Sequence, residues 1–229
     1  MDYEYTDRVI AYVDKQLIQW FSRLKSLVSF DELNVLQEVN AVYRDIGEMV
    51  RRVFLRLANQ VYRENLQERT YHSLTEQWLD DLLTAYDPVS KYVFAHEWDR
   101  KRARLIEAII ASDTKTKEIE AALRSLSFMC RIYAVRITDE AVLQAFEDME
   151  EELVRWVSEH DERTCTICYQ RDGKVYKIEF LPPKPHPNCR CRYERIDVRE
   201  RPKRIHAGNR PTDYEYSPAR KFRRNQKRE

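Results

Sequence analysis

The stretch DERTCTICYQRDGKVYKIEFLPPKPHPNCRCR, residues 161–192, decides how the rest of the chain is read. It holds four of the five cysteines, one of the three glycines and four of the eight prolines. Cys165 and Cys168 form a C-x2-C pair, and Cys189 and Cys191 a C-x-C pair. A tetrahedral zinc ion needs such paired thiolates, because Zn–S bonds of roughly 2.3 Å form only where two tight turns converge. Asp172-Gly173 is a two-residue hairpin signal, and Lys174 to Phe180 alternates as a short strand does. Pro182, Pro183, Pro185 and Pro187 then impose a stiff, extended return. In extended chain, residues two apart share a face, so Cys189 and Cys191 present two sulfurs to one ion while Arg190 points away.

The spacing therefore predicts a closed structural Zn2+ site made by Cys165, Cys168, Cys189 and Cys191. His186 competes for the fourth position. Four thiolates leave no open coordination position, which argues against catalysis by the metal. The competing readings are a disulfide or cysteines without a ligand. In a chain whose start, MDYEYTDRVI, has neither a basic nor an apolar leader region, the reading expects no secretory signal, and metal is favoured over disulfide.

Upstream, periodicity predicts helix almost throughout. Val9, Val13, Leu17, Trp20, Leu24 and Leu27 mark one face of a helix from Thr6 to about Val28. Phe30 and Asp31 resemble a staple and N-cap. Leu33, Leu36, Val39, Tyr43, Ile46, Val50, Val53 and Leu57 continue as a second helix toward Arg69, with Gly47 inside it as a tolerated glycine. The pair reads as a long hairpin. A third helix covers Ser73 to Ala85, and Asp87-Pro88 signals the start of a fourth running to Ala111. That helix carries the basic band Arg100, Lys101, Arg102 and Arg104, most simply a solvated face. A fifth covers Lys115 to Val135, placing Cys130 on a core stripe as a small buried hydrophobe. Thr138 is expected to cap a sixth, with Val142, Phe146, Met149, Leu153 and Trp156 on its buried face. The acidic run Glu147, Asp148 and Glu150 to Glu152 lies mostly outside that face.

Composition sets the limits. No apolar run approaches the roughly 20 residues that span a bilayer. The net charge of +1 conceals an asymmetry: residues 192–229 carry 13 Lys and Arg against 6 Asp and Glu, and residues 1–191 carry 27 against 33. Within that tail, Arg220, Lys221, Arg223, Arg224, Lys227 and Arg228 suit DNA phosphates or an acidic protein surface. No glycine-rich phosphate loop or catalytic signature occurs.

The strings D-E-R-T-C-x-x-C, D-G-K and P-x-H-P-N-C-R-C resemble the signature of the phage head-morphogenesis family, the minor head proteins similar to protein F of phage Mu. Arg136 to Ala141, R-I-T-D-E-A, resembles that family's Arg-Thr-Glu segment, interrupted by Ile137. The resemblance covers roughly residues 88–193. It implies a virion component made alongside the portal and acting in head assembly and DNA delivery, within the host cytoplasm and then in the head near the portal. The expected partners are the portal and other head proteins, with sequence-independent DNA as a further one, and no small-molecule substrate or enzymatic activity.

The reading is thus a mainly α protein: a long helical hairpin and bundle, a small C-terminal zinc-stapled β-module and an irregular basic tail. Four parts are expected: an N-terminal helical arm (1–87), a helical part of the head-morphogenesis domain (88–160), a Cys-rich zinc-binding β-module (161–193) and a basic extended tail (194–229). The rival readings are a zinc-dependent nucleic-acid-binding protein and a nuclease using His186 and the acidic run.

Overall fold

A computed structural model describes residues 3–27, 32–66, 72–162, 164–187, 189–196 and 205. The Phe30-Asp31 start signal and the whole cluster from Arg220 to Arg228 lie outside the described residues. The fold is mainly helical, with small antiparallel sheets, as the periodicity predicts.

Helices α1 (Glu4–Ser26) and α2 (Glu32–Asn65) form the hairpin. In α1, Val9, Val13, Leu17, Phe21 and Leu24 are buried; Phe21 replaces the expected Trp20, which is only partly covered. In α2, Val35 takes the buried place expected of Leu36, which is 42% exposed. Gly47 faces the indole of Trp98, and a Cβ built there would lie 3.4 Å from it. That is ordinary contact, so the glycine is tolerated rather than required.

Helix α3 (Glu76–Thr84) begins where Thr75 accepts the backbone N–H of Trp78 on its side-chain oxygen. Asp87-Pro88 does not start a helix. The Asp87 carboxylate accepts the N–H groups of Val89 and Ser90, the local pattern by which Asp favours turns over helix. The chain folds back instead, pairing β1 (Tyr86–Asp87) with β2 (Tyr92–Val93) in register Tyr86↔Val93. Helix α4 (Phe94–Ala111) follows.

The second correction concerns the two helices expected between Lys115 and Trp156. They are one helix of 34 residues, α5 (Lys115–Asp148), roughly 50 Å long at 1.5 Å per residue. Thr138 is not its cap: its hydroxyl donates to the Ala134 carbonyl at 3.0 Å, so the helix runs through it. Neither Gly nor Pro interrupts residues 115–148. From Ile137 to Phe146 nearly every side chain is buried, as for a helix enclosed on all sides. Helices α1, α2 and α4 all pack on α5, so the hairpin's apolar stripe is covered inside the body.

Leu153 and Trp156 are not helical either. They lie on β3 (Leu153–Val157), whose alternating burial puts Val154 and Trp156 inward. Its sheet has the order β4-β3-β5, with β4 (Val175–Lys177) and β5 (Arg192–Arg195) both antiparallel to β3. Trp156, fully buried, meets Tyr193 edge to face at 5.4 Å, and the Arg171 guanidinium covers its ring at 4.9 Å. The module's apolar residues join the helical core in one continuous cluster.

Candidate metal centre

Three short structures deliver the cysteines. Helix α6 (Thr166–Arg171) starts at Cys165, whose sulfur accepts the backbone N–H of Cys168 at 3.4 Å. Asp172-Gly173 ends this helix rather than linking two strands directly. Gly173, at φ +68°, makes the reversal that side chains disfavour, and its N–H donates to the Trp156 carbonyl at 2.8 Å. Strand β4 and a single 3-10 turn, Ile178–Phe180, then lead into the proline-rich return. The Cys189 N–H donates to the His186 carbonyl at 3.2 Å, closing a turn before the C-x-C pair.

The fold brings all four predicted cysteines and His186 together, in two overlapping groups. The ligating atoms of Cys165, Cys168 and His186 lie within 4.8 Å of one another, and so do those of Cys168, Cys189 and Cys191. Cys168 belongs to both. Its sulfur is 3.3 Å from that of Cys189, close to the edge of about 3.8 Å that a tetrahedron with Zn–S bonds of roughly 2.3 Å would have. All five cysteines of the chain are free thiols. Cys130 is buried in the core, and burial pushes its thiol well above the usual range.

The electrostatics of the cluster follow from its burial. Burial pushes the Cys168 thiol up to about 12. A hydrogen bond with the Cys191 sulfur, together with burial, pushes Cys189 far up. At half-exposed Cys165 burial opposes the thiolate, but N–H donation from Cys168 overcomes it and holds that thiol below the usual range. Burial and the Lys184 cation keep the His186 imidazole neutral to a lower pH than usual. Buried sulfurs this close, beside a neutral imidazole, form a donor set that a divalent cation converts to thiolates. The cluster can hold a metal ion, and its soft donors are compatible with zinc.

Behind the C-x-C pair lies a buried polar network that the sequence analysis missed. Lys184 and Asp139 are each 8% exposed. The Lys184 ammonium donates to Asp139 at 2.7 Å, to the Tyr3 hydroxyl at 2.6 Å and to the Cys189 carbonyl at 3.2 Å. Burial raises the Asp139 carboxyl above its ordinary range, against the pull of Lys184 and Tyr3. The one available signal was Asp139 inside R-I-T-D-E. Nothing local marks Lys184 or Tyr3 as its partners.

Most described groups of the basic band and the acidic run are engaged by the protein's own contacts, while Arg104 is exposed. Arg100 and Lys101 both pair with buried Glu97, and Arg102 bonds Asn40 at 2.9 Å and Asp99 at 3.1 Å. In the acidic run, Asp148 accepts from Tyr62 at 2.5 Å and Gln144 at 2.6 Å, and Glu151 pairs with Arg195 at 2.5 Å. Asp148 sits nine positions beyond Asp139 on α5, roughly 13 Å along its axis. Among the described residues, every group of three or more metal-capable side chains includes Cys168. No described helix is long and apolar enough to cross a membrane.

The geometry defines a class: a helical body whose central helix carries a thiol-rich β-module able to hold a metal ion. Residues 100–194, from within α4 through α5 and that module, match the family described as Phage Mu protein F like protein. No curated protein and no solved structure matches the chain.

Proposed function

We propose that this chain is a structural protein of a tailed-phage head that binds the portal and neighbouring head proteins during assembly. The observation that carries the reading is the coincidence of the family match, residues 100–194, with the whole thiol-rich module and the helix beneath it. In this reading Cys165, Cys168, Cys189 and Cys191 hold one structural zinc, with His186 as the alternative fourth donor. The ion supplies a staple between α6 and the C-x-C turn, where few apolar side chains are available. The basic tail, led by Arg220 to Arg228, lies in this reading on DNA phosphates or an acidic head-protein surface.

The test is assembly in the presence of the phage's own head proteins. The full chain should co-purify with the portal and enter particles, and Cys168→Ser should abolish incorporation while leaving the helices intact by circular dichroism. Incorporation that survives loss of the thiol cluster would refute the structural role of the site. Deleting residues 1–70 is a poor alternative, because α1 and α2 supply much of the core around α5. If the tail contacts DNA, binding should be sequence-independent. Its affinity should fall with a log–log salt slope of about −0.9 per phosphate neutralised.

A further inference from the structure

The C-x-C pair is gripped from behind by three residues that hold no metal themselves. Their contacts tie it to the first residues of α1. The hydroxyl proton of Tyr3 is placed between Asp139 Oδ1, at 2.7 Å, and the Cys191 carbonyl, at 3.1 Å. All three N–H groups of Lys184 are used: on Tyr3, on Asp139 and on the Cys189 carbonyl. The rings of Tyr3 and Tyr193 flank the same ammonium, at 5.2 Å and 5.5 Å from centroid to Nζ. The backbone carbonyls of both cysteines are thereby fixed, and with them the directions of the two sulfurs. One turn further along α1, Thr6 bonds Thr138 at 2.8 Å, a contact between the same two helices that touches no cysteine.

We propose that Tyr3, Asp139 and Lys184 form an outer support that couples metal binding in the cysteine cluster to docking of the start of α1 on α5. The inference rests on the metal reading above. Hydrogen-bonded neighbours that orient ligands commonly change metal affinity 10- to 100-fold when removed. The coupling is reciprocal: if the docked N-terminus tightens metal binding, the bound metal tightens the docking by the same factor. Tyr3, Asp139 and Lys184 are positioning residues, distant from one another in sequence and joined only by the fold.

The experiment compares the full chain with Tyr3→Phe, which removes one oxygen and keeps the ring, and with Thr6→Val, which breaks only the neighbouring contact. Zinc affinity is measured by competition with a chromophoric chelator. Hydrogen exchange of residues 4–10 is followed with zinc and after chelation. Tyr3→Phe should weaken zinc about 10-fold or more, and Thr6→Val should leave it unchanged. Chelation should speed exchange at residues 4–10 in the full chain and much less in Tyr3→Phe. Equal zinc affinity in the full chain and Tyr3→Phe would overturn the coupling while sparing the metal centre. Equal weakening by both variants would reduce it to general destabilisation. A full chain that takes up no zinc would remove the metal centre and the coupling together.

Discussion

The helical body and the cysteine module are stabilised by different physics. In the body, long amphipathic helices wrap α5, and rings of Phe54, Phe94, Trp98 and Tyr133 interlock at centroid distances from 4.6 to 6.2 Å. Such a core depends on area removed from water and tolerates local change. The module has short strands, one two-turn helix and a proline-rich return with few regular hydrogen bonds. Its order comes from point interactions: clustered sulfurs, one buried ion pair and a buried tryptophan. Removing one point should therefore cost the module far more than the body.

The largest expected effect breaks the comparison most directly. On the proposed zinc reading, chelation, or Cys168→Ser, should abolish hydrogen-exchange protection across β3, β4 and β5, since metal-binding energy in small modules is folding energy. Helical circular dichroism should change little. Loss of both signals together would show one cooperative unit and sink the distinction.

Next in size is Asp139→Asn, which leaves the Lys184 ammonium buried without its counter-charge. It should cost about 3–5 kcal/mol in denaturant titration, whereas replacing both, Asp139→Leu with Lys184→Met, should cost much less. A cost below about 1 kcal/mol for the single change would mean that water reaches the pair.

Smaller again is Asp172→Ala. Its carboxylate accepts the Ser158 N–H at 2.7 Å and pairs with His160 at 2.8 Å. Burial opposes that charge, but these partners outweigh it and hold the carboxyl below its usual range. The contribution, about 1–2 kcal/mol, should be complete above the unfolded value near pH 4. It should fade as pH falls through the lower folded value. A cost that persists unchanged at pH 2 would contradict the charge-based account.

The smallest effect has the opposite sign. Gly47→Ala, with its Cβ at ordinary contact from Trp98, should stabilise α2 by about 0.5–1 kcal/mol. Destabilisation would show that the body packs more tightly at this crossing than its geometry indicates.

The sequence by itself determined what local chemistry controls. Apolar spacing of three and four marked the helices of the hairpin, and the C-x2-C and C-x-C pairs marked which residues would meet. The tertiary structure decided what depends on partners far along the chain. Asp87-Pro88 was equally able to open a helix or a turn, and the pairing of Tyr86 with Val93 selected the turn. Thr138 was equally able to cap or to continue a helix, and burial against Thr6 selected continuation. Leu153 and Trp156, three positions apart, share the face of a helix but lie on opposite faces of a strand; pairing with β4 and β5 on either side fixed the strand, which turns Val154 and Trp156 inward. In the network of Tyr3, Asp139 and Lys184 only Asp139 lay in a segment that the sequence marked; Tyr3 and Lys184 left no local trace, since a buried charge is tolerable only where the fold supplies its counter-charge and hydrogen bonds. Here those partners stand 136 and 45 positions from Asp139.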